Sequence, residues 1–474
     1  MDRYRLAFGH RWVQGAGLFL AALPLIAADS LWIPPYEYPY ADVLSPAVYH
    51  QRRQQLLRSL GPRSLLLVVA AERHLRNGDV YYPYRQNSWL WYLTGIPEPN
   101  TILLLSSEGI QVQEQRVHAL AFIPERNPRH ERWEGARMGP VEAERLLGIT
   151  ALPRSAFDSL LLQILATTDT LYLLGLPTPL LRLPVSGRPF SIEQQETEWL
   201  RERFPQLVAR RGFPPLVQLR AQKDTAELRL LRRAIAITGE ALQALWHTAR
   251  PGMSERDLQI LLESELRRRG AEDVAFPTIV AAGPNACILH YTNGHRRIAD
   301  GDLVLIDCGA QYAGYAADIT RTIPISGYFT AEQRTLYNIV LEAQDSAIAA
   351  CRPGVPFALP HQRAVAVLER RLRQLGILDT GSNVRHYFPH ATSHHLGLDV
   401  HDVGPTDTLR PGYVITVEPG VYVPPGSPCD QRWWGIGIRI EDVVHITDNG
   451  AEILSAAIPR RPEEVEALLH VNRP

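Results

Sequence analysis

Two aspartates in the middle of the chain have types and spacing that suit cation binding. Asp307 ends the apolar run 303–306, and Asp318 lies in a second β-prone run after a turn flanked by Gly309 and Gly314. This order predicts a β-hairpin. If the turn centres between residues 312 and 313, the two carboxylates face each other with Cβ atoms roughly 4.5–5.5 Å apart. Such close like charges in apolar surroundings need a cation between them; the alternative is that one aspartate faces solvent.

The C-terminal part of the chain supplies further side chains of ligand type. Several of the 16 histidines are concentrated between His390 and His401. Glu418 ends an apolar run and precedes Pro-Gly, while Arg439 and Glu441 share one face of an alternating strand whose other face carries isoleucines. Carboxylates and histidines placed at strand ends and glycine turns indicate one shared site.

The chemistry of such a site follows from its charges. If Asp307, Asp318, Glu418 and Glu441 converge with one histidine, two divalent cations would cancel their negative charge. Ligands that are mostly oxygen with one imidazole favour Mn²⁺ or a similar metal over zinc. Two cations roughly 3.5–4 Å apart can bridge a water and make it a hydroxide. The pattern therefore predicts hydrolysis of an acyl bond, with spare histidines near the oxyanion and Arg439 orienting a carboxylate.

The bulk composition restricts the class of protein. The chain has 474 residues, 45% hydrophobic and 21% charged, with a net charge of −1. This length predicts two domains plus extensions. A nearly neutral chain without a basic stripe argues against a nucleic-acid partner. No Cys-x-x-Cys pair occurs, which argues against a structural zinc site.

The first 28 residues have the pattern of a signal peptide. Arg3, Arg5 and Arg11 precede an apolar run over residues 16–28 that ends in small side chains. This pattern predicts an exported, periplasmic protein; the alternative is an N-terminal extension on a cytoplasmic protein. The run is short for a bilayer span, and no later stretch approaches about 18 apolar residues, so we expect no stable membrane insertion.

The elements that must position these side chains divide into two domains. Residues 42–215 show alternating helix and strand patterns, which predict a smaller α/β domain that begins with a helix capped by Ser45. An aromatic cluster around Trp91 is interpreted as core, with a subunit interface as the alternative. Residues 224–460 contain two capping boxes, each opening a helix that ends at Arg-Pro-Gly before a second helix and strands. This repeat, at about a hundred residues' separation, indicates two halves about a pseudo-twofold axis that brings their strands together.

From about Tyr49 to Glu464 the chain resembles the Xaa-Pro aminopeptidases (aminopeptidase P) of the pita-bread metallopeptidase group. The matching stretches are Tyr84–Ser88, Trp91–Gly95, Cys287–Thr292, Asp300–Asp307, Asp318–Thr322, His394–Asp402, Thr416–Gly420 and Gly435–Asp442. The resemblance implies an α/β (α+β) fold, with a C-terminal pita-bread catalytic domain of pseudo-twofold repeat preceded by a smaller N-terminal domain.

The resemblance also implies a ligand set. Asp307 would bind one metal, Asp318 and Glu441 would bridge both, and His394 and Glu418 would bind the other. Glu418 would in addition act as general base. The activity implied is removal of an N-terminal residue that precedes proline in a peptide, usually with manganese, by a homo-oligomer that is a dimer or tetramer.

Other matched positions surround the substrate. The resemblance implies that three histidines line the substrate site: His290, His390 and His401. Tyr422 and Arg439 match supporting positions, and Trp91 matches an aromatic that reaches a neighbouring subunit's active site. The chain departs from many relatives at His395 and Cys308. We expect these departures to affect selectivity more than activity.

Three other functions compete with the Xaa-Pro aminopeptidase interpretation. Prolidase, the Xaa-Pro dipeptidase, shares all five metal ligands, and only the matches in the first domain favour the aminopeptidase. Methionine aminopeptidase needs no such first domain. A metal-free binding protein or creatinase-like relative would normally have lost a ligand, whereas all five are present.

Overall fold

The structure is a computed structural model. It describes residues 35–40, 43–175, 180–182, 189–191, 199–200, 202–379 and 381–470. The signal peptide predicted at residues 1–28 lies outside the described residues, so export stays a prediction. Within the described ranges, no helix is both long enough and apolar enough to cross a membrane.

The N-terminal domain is built on a mixed sheet flanked by short helices. Its strands are β1 Ser64–Val69, β2 Leu75–Asn77, β3 Val80–Tyr81, β4 Ile102–Val112, β5 Gln115–Ile123, β6 Ala151–Pro153, β7 Thr170–Leu174, β8 Leu180–Arg182, β9 Pro189–Ser191 and β10 Val208–Arg211. Its helices are α1 Pro46–Leu57, α2 Ser88–Thr94, α3 Pro128–Glu134, α4 Pro140–Leu147, α5 Phe157–Leu165 and α6 Pro214–Ala221. The main sheet has the order β10-β7-β1-β4-β5-β6. Ser45 caps α1, as the sequence predicts.

The C-terminal domain contains the longer helices and the strands that carry the candidate ligands. Its helices are α7 Thr225–Thr248, α8 Glu255–Arg268, α9 Ala331–Ala350, α10 Leu359–Gln374 and α11 Pro462–His470. Its strands are β11 Asp273–Val274, β12 Ile279–Ala282, β13 Leu303–Cys308, β14 Ala310–Tyr312, β15 Tyr315–Ala316, β16 Ile319–Pro324, β17 Val414–Val417, β18 Gly420–Val423, β19 Ile436–Arg439, β20 Asp442–Thr447 and β21 Gly450–Ile453.

The predicted repeat is present in the element order. Helices α7 and α8 lead to the sheet β12-β13-β16, and helices α9 and α10 lead to the sheets β17-β20-β21 and β18-β19. Capping boxes start the first helix of each half, as the sequence predicts, and they use Asp224 with Glu227 and Thr330 with Gln333. Because each cap satisfies otherwise unpaired N–H groups, it fixes where its helix begins.

Hydrogen bonds and one buried ion pair join the two halves beside the candidate site. The Glu441 N–H donates to the Thr320 carbonyl at 3.0 Å, and the Arg439 N–H donates to the Thr322 hydroxyl at 3.2 Å. The fully buried Arg321 pairs with the fully buried Asp442 at 2.8 Å. A buried charge is tolerated only when it is paired and hydrogen-bonded. These contacts hold β16 of the first half against β19 and β20 of the second half.

Candidate metal centre

The hairpin that carries the first two aspartates has a different register from the one expected. Ala313 and Gly314, with φ of 51° and 82°, form a two-residue turn, so its centre lies one residue later than expected. Asp307 therefore pairs with Thr320, and Asp318 is not directly opposite it. Moving the centre by one residue moves each pairing by two, and side chains alternate with a period of two. The register prediction was wrong, yet both carboxylates remain on one face.

The remaining candidate ligands come from the ends of strands in the second half. Glu418 directly follows β17, and Glu441 lies between β19 and β20. His394 lies in the irregular segment between α10 and β17, where its N–H donates to the Thr416 hydroxyl at 3.2 Å. Glu418 and Glu441 each lie in a short link between two paired strands. Because the strands on either side fix the backbone of the link, they also fix the direction of the side chain.

The distances place ligand atoms within reach of a shared cation. Each of Asp318, His394 and Glu441 offers an atom that lies within 4.8 Å of the other two. His394 Nε2 is 3.6 Å from Asp318 Oδ2 and 3.4 Å from Glu418 Oε1. His394 Nδ1 is 3.0 Å from the His395 carbonyl. A hydrogen bond from Nδ1–H to that carbonyl leaves Nε2 unprotonated for a cation.

The carboxylates disturb one another strongly. Burial raises the pKa of Asp318 well above its usual value, and the charges of Glu441 and Asp307 raise it further. Burial and the charge of Glu418 likewise raise the pKa of Glu441. Burial acts in the same direction on Glu418, but His394, His390 and Arg439 together outweigh it and lower the pKa of that carboxyl. Clustered buried carboxylates of this kind need compensating positive charge.

The buried guanidinium of Arg439 and the hydroxyl of Thr320 orient the carboxylates at the back of the site. Arg439 donates to Asp307 Oδ2 at 2.6 Å, to the Thr320 hydroxyl at 3.1 Å and to the Tyr422 hydroxyl at 2.9 Å. The Thr320 hydroxyl donates to Glu441 Oε2 at 2.8 Å. Arg439 therefore orients two of the carboxylates, one directly and one through Thr320.

A cavity of about 650 Å³ opens over these side chains. Nine residues singled out from the sequence line it: Asp307, Asp318, His394, Glu418, Glu441, His290, His390, His401 and Arg439. Tyr422 lies behind the wall, where its hydroxyl is 2.8 Å from His390 Nε2. Sequence patterns did not single out Thr320 or the apolar wall formed by Phe276, Ile279, Leu289 and Val400. Thr320 carried a signal because it lies two residues after Asp318 in a matched stretch, and Leu289 and Val400 did because each adjoins a histidine already chosen.

Trp91 does not line this cavity. Its side chain is only 7% exposed, its Nε1 donates to the Ala313 carbonyl at 3.1 Å, and it packs against Tyr40. The core interpretation of Trp91 is therefore confirmed, and the role of reaching a neighbouring subunit's active site stays a prediction. In the same domain Trp133 is 88% exposed. The predicted homo-oligomer itself stays a prediction.

We expect Trp91→Ala to lower the free energy of unfolding by about 3–5 kcal/mol, because it empties a packed site between the two domains. Denaturant titration measures this change. Trp133→Ala is the matched control and should change the free energy of unfolding by less than about 0.5 kcal/mol, as an exposed position does. Lost turnover in Trp91→Ala without lost stability would contradict the assignment of Trp91 to the core.

The donor set fits divalent cations. Asp307 Oδ1 is buried, and no described group donates a hydrogen bond to it. Such an unsatisfied buried oxygen is costly, and a cation bound between the carboxylates would satisfy it. Asp307, Asp318, His394, Glu418 and Glu441 together offer four carboxylates and one imidazole, which suits hard or borderline divalent metals.

Comparison with known proteins agrees with this chemistry. Residues 229–448 match the model of metallopeptidase family M24, and residues 49–172 match the aminopeptidase P N-terminal domain. The Xaa-Pro aminopeptidase of Escherichia coli is 38% identical over 90% of this chain and 98% of its own. That of Haemophilus influenzae is 35% identical over 92% of this chain and 100% of its own.

Solved structures show the same relationship. Zinc-substituted aminopeptidase P of E. coli in complex with product superposes with a TM-score of 0.81, at 37% identity over 91% of this chain and 99% of that one. The match spans both domains, so the predicted fold class and family are confirmed. The chain belongs to the Xaa-Pro aminopeptidases of metallopeptidase family M24, and it is a metal-dependent hydrolase of the aminopeptidase type.

Proposed function

We propose that this protein hydrolyses the peptide bond between an N-terminal residue and a following proline. The observation that carries the proposal is the convergence of four carboxylates and His394 in one cavity, with Asp307 Oδ1 buried and unsatisfied. The match of residues 49–172 to the aminopeptidase P N-terminal domain supports the aminopeptidase over prolidase and over a metal-free relative.

Asp307, Asp318, His394, Glu418 and Glu441 would hold two divalent cations, for which we propose Mn²⁺. When bound, such a pair would lower the pKa of a water molecule and polarise the carbonyl of the bond to be cut. Oxygen-rich ligation supports manganese over zinc. The four carboxylates in the cavity support two cations rather than one, because together they carry up to four negative charges and one divalent cation would cancel only two of them.

Glu418 is proposed as the general base. A glutamate carboxylate is ionised near neutral pH and can accept a proton, and Glu418 lines the cavity beside the other ligands. The Thr416 hydroxyl donates to Glu418 Oε1 at 3.4 Å, and the Glu418 N–H donates to the Thr392 carbonyl at 2.9 Å, so both the carboxylate and the backbone of Glu418 are held. A base held in this way reaches the attacking water without first losing rotamer freedom.

The histidines of the wall have different proposed tasks. Arg439 donates to the Tyr422 oxygen, which frees the Tyr422 hydrogen to donate to His390 Nε2; His390 Nδ1 then donates to the Ala391 carbonyl at 2.8 Å. This tautomer uses the one N–H of the neutral ring on the Ala391 carbonyl, so His390 forms part of the cavity wall without a hydrogen bond to Glu418, whose Oε2 lies 3.6 Å away. Burial lowers the pKa of His401, whose ring centroid lies 4.2 Å from that of His394. A neutral His401 can donate its N–H to the developing oxyanion, together with His290.

The experiment compares Xaa-Pro with Xaa-Pro-Yaa peptides after chelation, with and without added Mn²⁺. We expect the tripeptide to lose its N-terminal residue only when Mn²⁺ is present, with an Xaa-Ala-Yaa peptide as the control for proline specificity. Liquid chromatography of the products measures this. Cleavage of the dipeptide alone would favour prolidase, and cleavage in chelator would remove the metal from the mechanism.

A further inference from the structure

One polar side chain outside the cavity contacts the backbone on both sides of the second half's ligands. Gln344 lies on α9 and is fully buried. Its Nε2 is 3.1 Å from the Val417 carbonyl, 3.1 Å from the Ile440 carbonyl and 3.0 Å from Asp442 Oδ2. Its Oε1 accepts from Arg460 Nη1 at 2.8 Å. All three atoms near Nε2 are acceptors and Arg460 is a donor, so the amide has one consistent orientation.

The two carbonyls belong to the peptide groups that carry Glu418 and Glu441. Strands β17 and β20 are paired as far as Val417 with Asp442, which is the last pair of the ladder. The chain continues into Glu418 on one side and arrives from Glu441 on the other. Beyond this pair the two strands diverge. The amide of Gln344 bridges them there by donating to the Val417 and Ile440 carbonyls.

The opposite ends of the same peptide groups are also held. The Glu418 N–H donates to the Thr392 carbonyl at 2.9 Å, and the Glu441 N–H donates to the Thr320 carbonyl at 3.0 Å. Each peptide plane thus has its carbonyl bound by Gln344 and its N–H bound by another strand or loop. Fixing both planes fixes the directions of the two Cα–Cβ bonds, and with them the spacing of the two carboxylates.

A buried amide at this place would be costly without these bonds. Around Gln344 the inward face of α9 is apolar, with Val340, Ala343 and Ala347 fully buried. An amide moved from water into such surroundings loses stability unless it is hydrogen-bonded. A leucine would be the ordinary choice for core packing, which is why the amide points to a task in the site.

We propose that Gln344 is a positioning residue that sets the spacing of Glu418 and Glu441, and that Arg460 holds its amide in the working orientation. The inference rests on the proposed function, because the spacing matters only if both carboxylates bind the metal pair. Side chains that orient ligands typically change metal affinity or activity by about 10–100-fold when they are removed.

The test measures Mn²⁺ binding to chelated protein by isothermal titration calorimetry, beside kcat and KM for an Xaa-Pro-Yaa peptide. We expect Gln344→Leu to weaken Mn²⁺ binding about 10–100-fold and to lower kcat with little change in KM. Arg460→Met changes a side chain that is 20% exposed, and it also removes the ion pair with Asp345 at 2.7 Å. It should shift both quantities in the same direction by a smaller factor.

Gln333→Leu is the matched control on the same helix. Gln333 completes the capping box of α9 and donates to the Gly301 carbonyl at 2.8 Å, away from the ligands. It should lower the unfolding midpoint and leave Mn²⁺ affinity unchanged. Equal Mn²⁺ affinity in wild type, Gln344→Leu and Arg460→Met, or equal losses in Gln344→Leu and Gln333→Leu, would overturn the inference. A wild-type protein that binds no Mn²⁺ would instead overturn the proposed function beneath it.

Discussion

Glu418→Gln should lower kcat for an Xaa-Pro-Yaa peptide by at least about 10²–10⁴-fold, the usual contribution of a general base. The amide has nearly the shape of the carboxylate but cannot accept the proton of the attacking water. It also removes one negative ligand. The fold should survive, because the backbone of Glu418 stays bonded to Thr392 and the neighbouring strand β17 is unchanged.

Steady-state kinetics at saturating Mn²⁺ measures this effect, and far-ultraviolet circular dichroism reports the fold. Glu463→Gln makes the same chemical change on a side chain that is 72% exposed, so it should leave kcat unaltered. Turnover in Glu418→Gln close to that of wild type would remove Glu418 from the role of base.

Asp318→Asn should weaken Mn²⁺ binding by more than about 100-fold, beyond the loss typical of side chains that only orient a ligand. Asp318 lies with His394 and Glu441 in the group whose atoms are all within 4.8 Å. The same substitution should raise the unfolding midpoint of the metal-free protein. It removes one charge from carboxylates that repel one another in buried surroundings.

Calorimetric titration and thermal unfolding in chelator measure these two opposite changes. Asp407→Asn is the control, since that carboxylate is 59% exposed and pairs with Arg410 at the surface. It should alter neither quantity. A metal-free Asp318→Asn protein less stable than wild type would mean that Asp318 serves the fold through hydrogen bonds and not as a repelled ligand.

Local chemistry in the sequence was enough for many elements. Capping residues at Ser45, Asp224 and Thr330 mark helix starts because they bond N–H groups within a few residues. The alternating run that ends at Arg439 and Glu441 shows which side chains share a face because a strand has a period of two. The family resemblance was confirmed over both domains.

Two other features did not follow from residue type and periodicity. The register of the aspartate hairpin followed from the left-handed conformations of Ala313 and Gly314, which select a two-residue turn one position later than expected. The burial of Trp91 depends on Tyr40 and on the turn at Ala313, which belongs to the other domain. Local sequence patterns predicted Trp91 as a core residue, but they do not contain its partner, the Ala313 carbonyl.

The sequence by itself determined which side chains are available: the carboxylates and histidines, their places at strand ends, and the period of two that keeps Asp307 and Asp318 on one face. Only the tertiary structure decided how far apart they lie and what orients them, through Arg439, Thr320 and Gln344. Those contacts join segments up to 132 residues apart. Spacing between such segments is set by the packing of whole strands and helices, which residue type and periodicity do not encode.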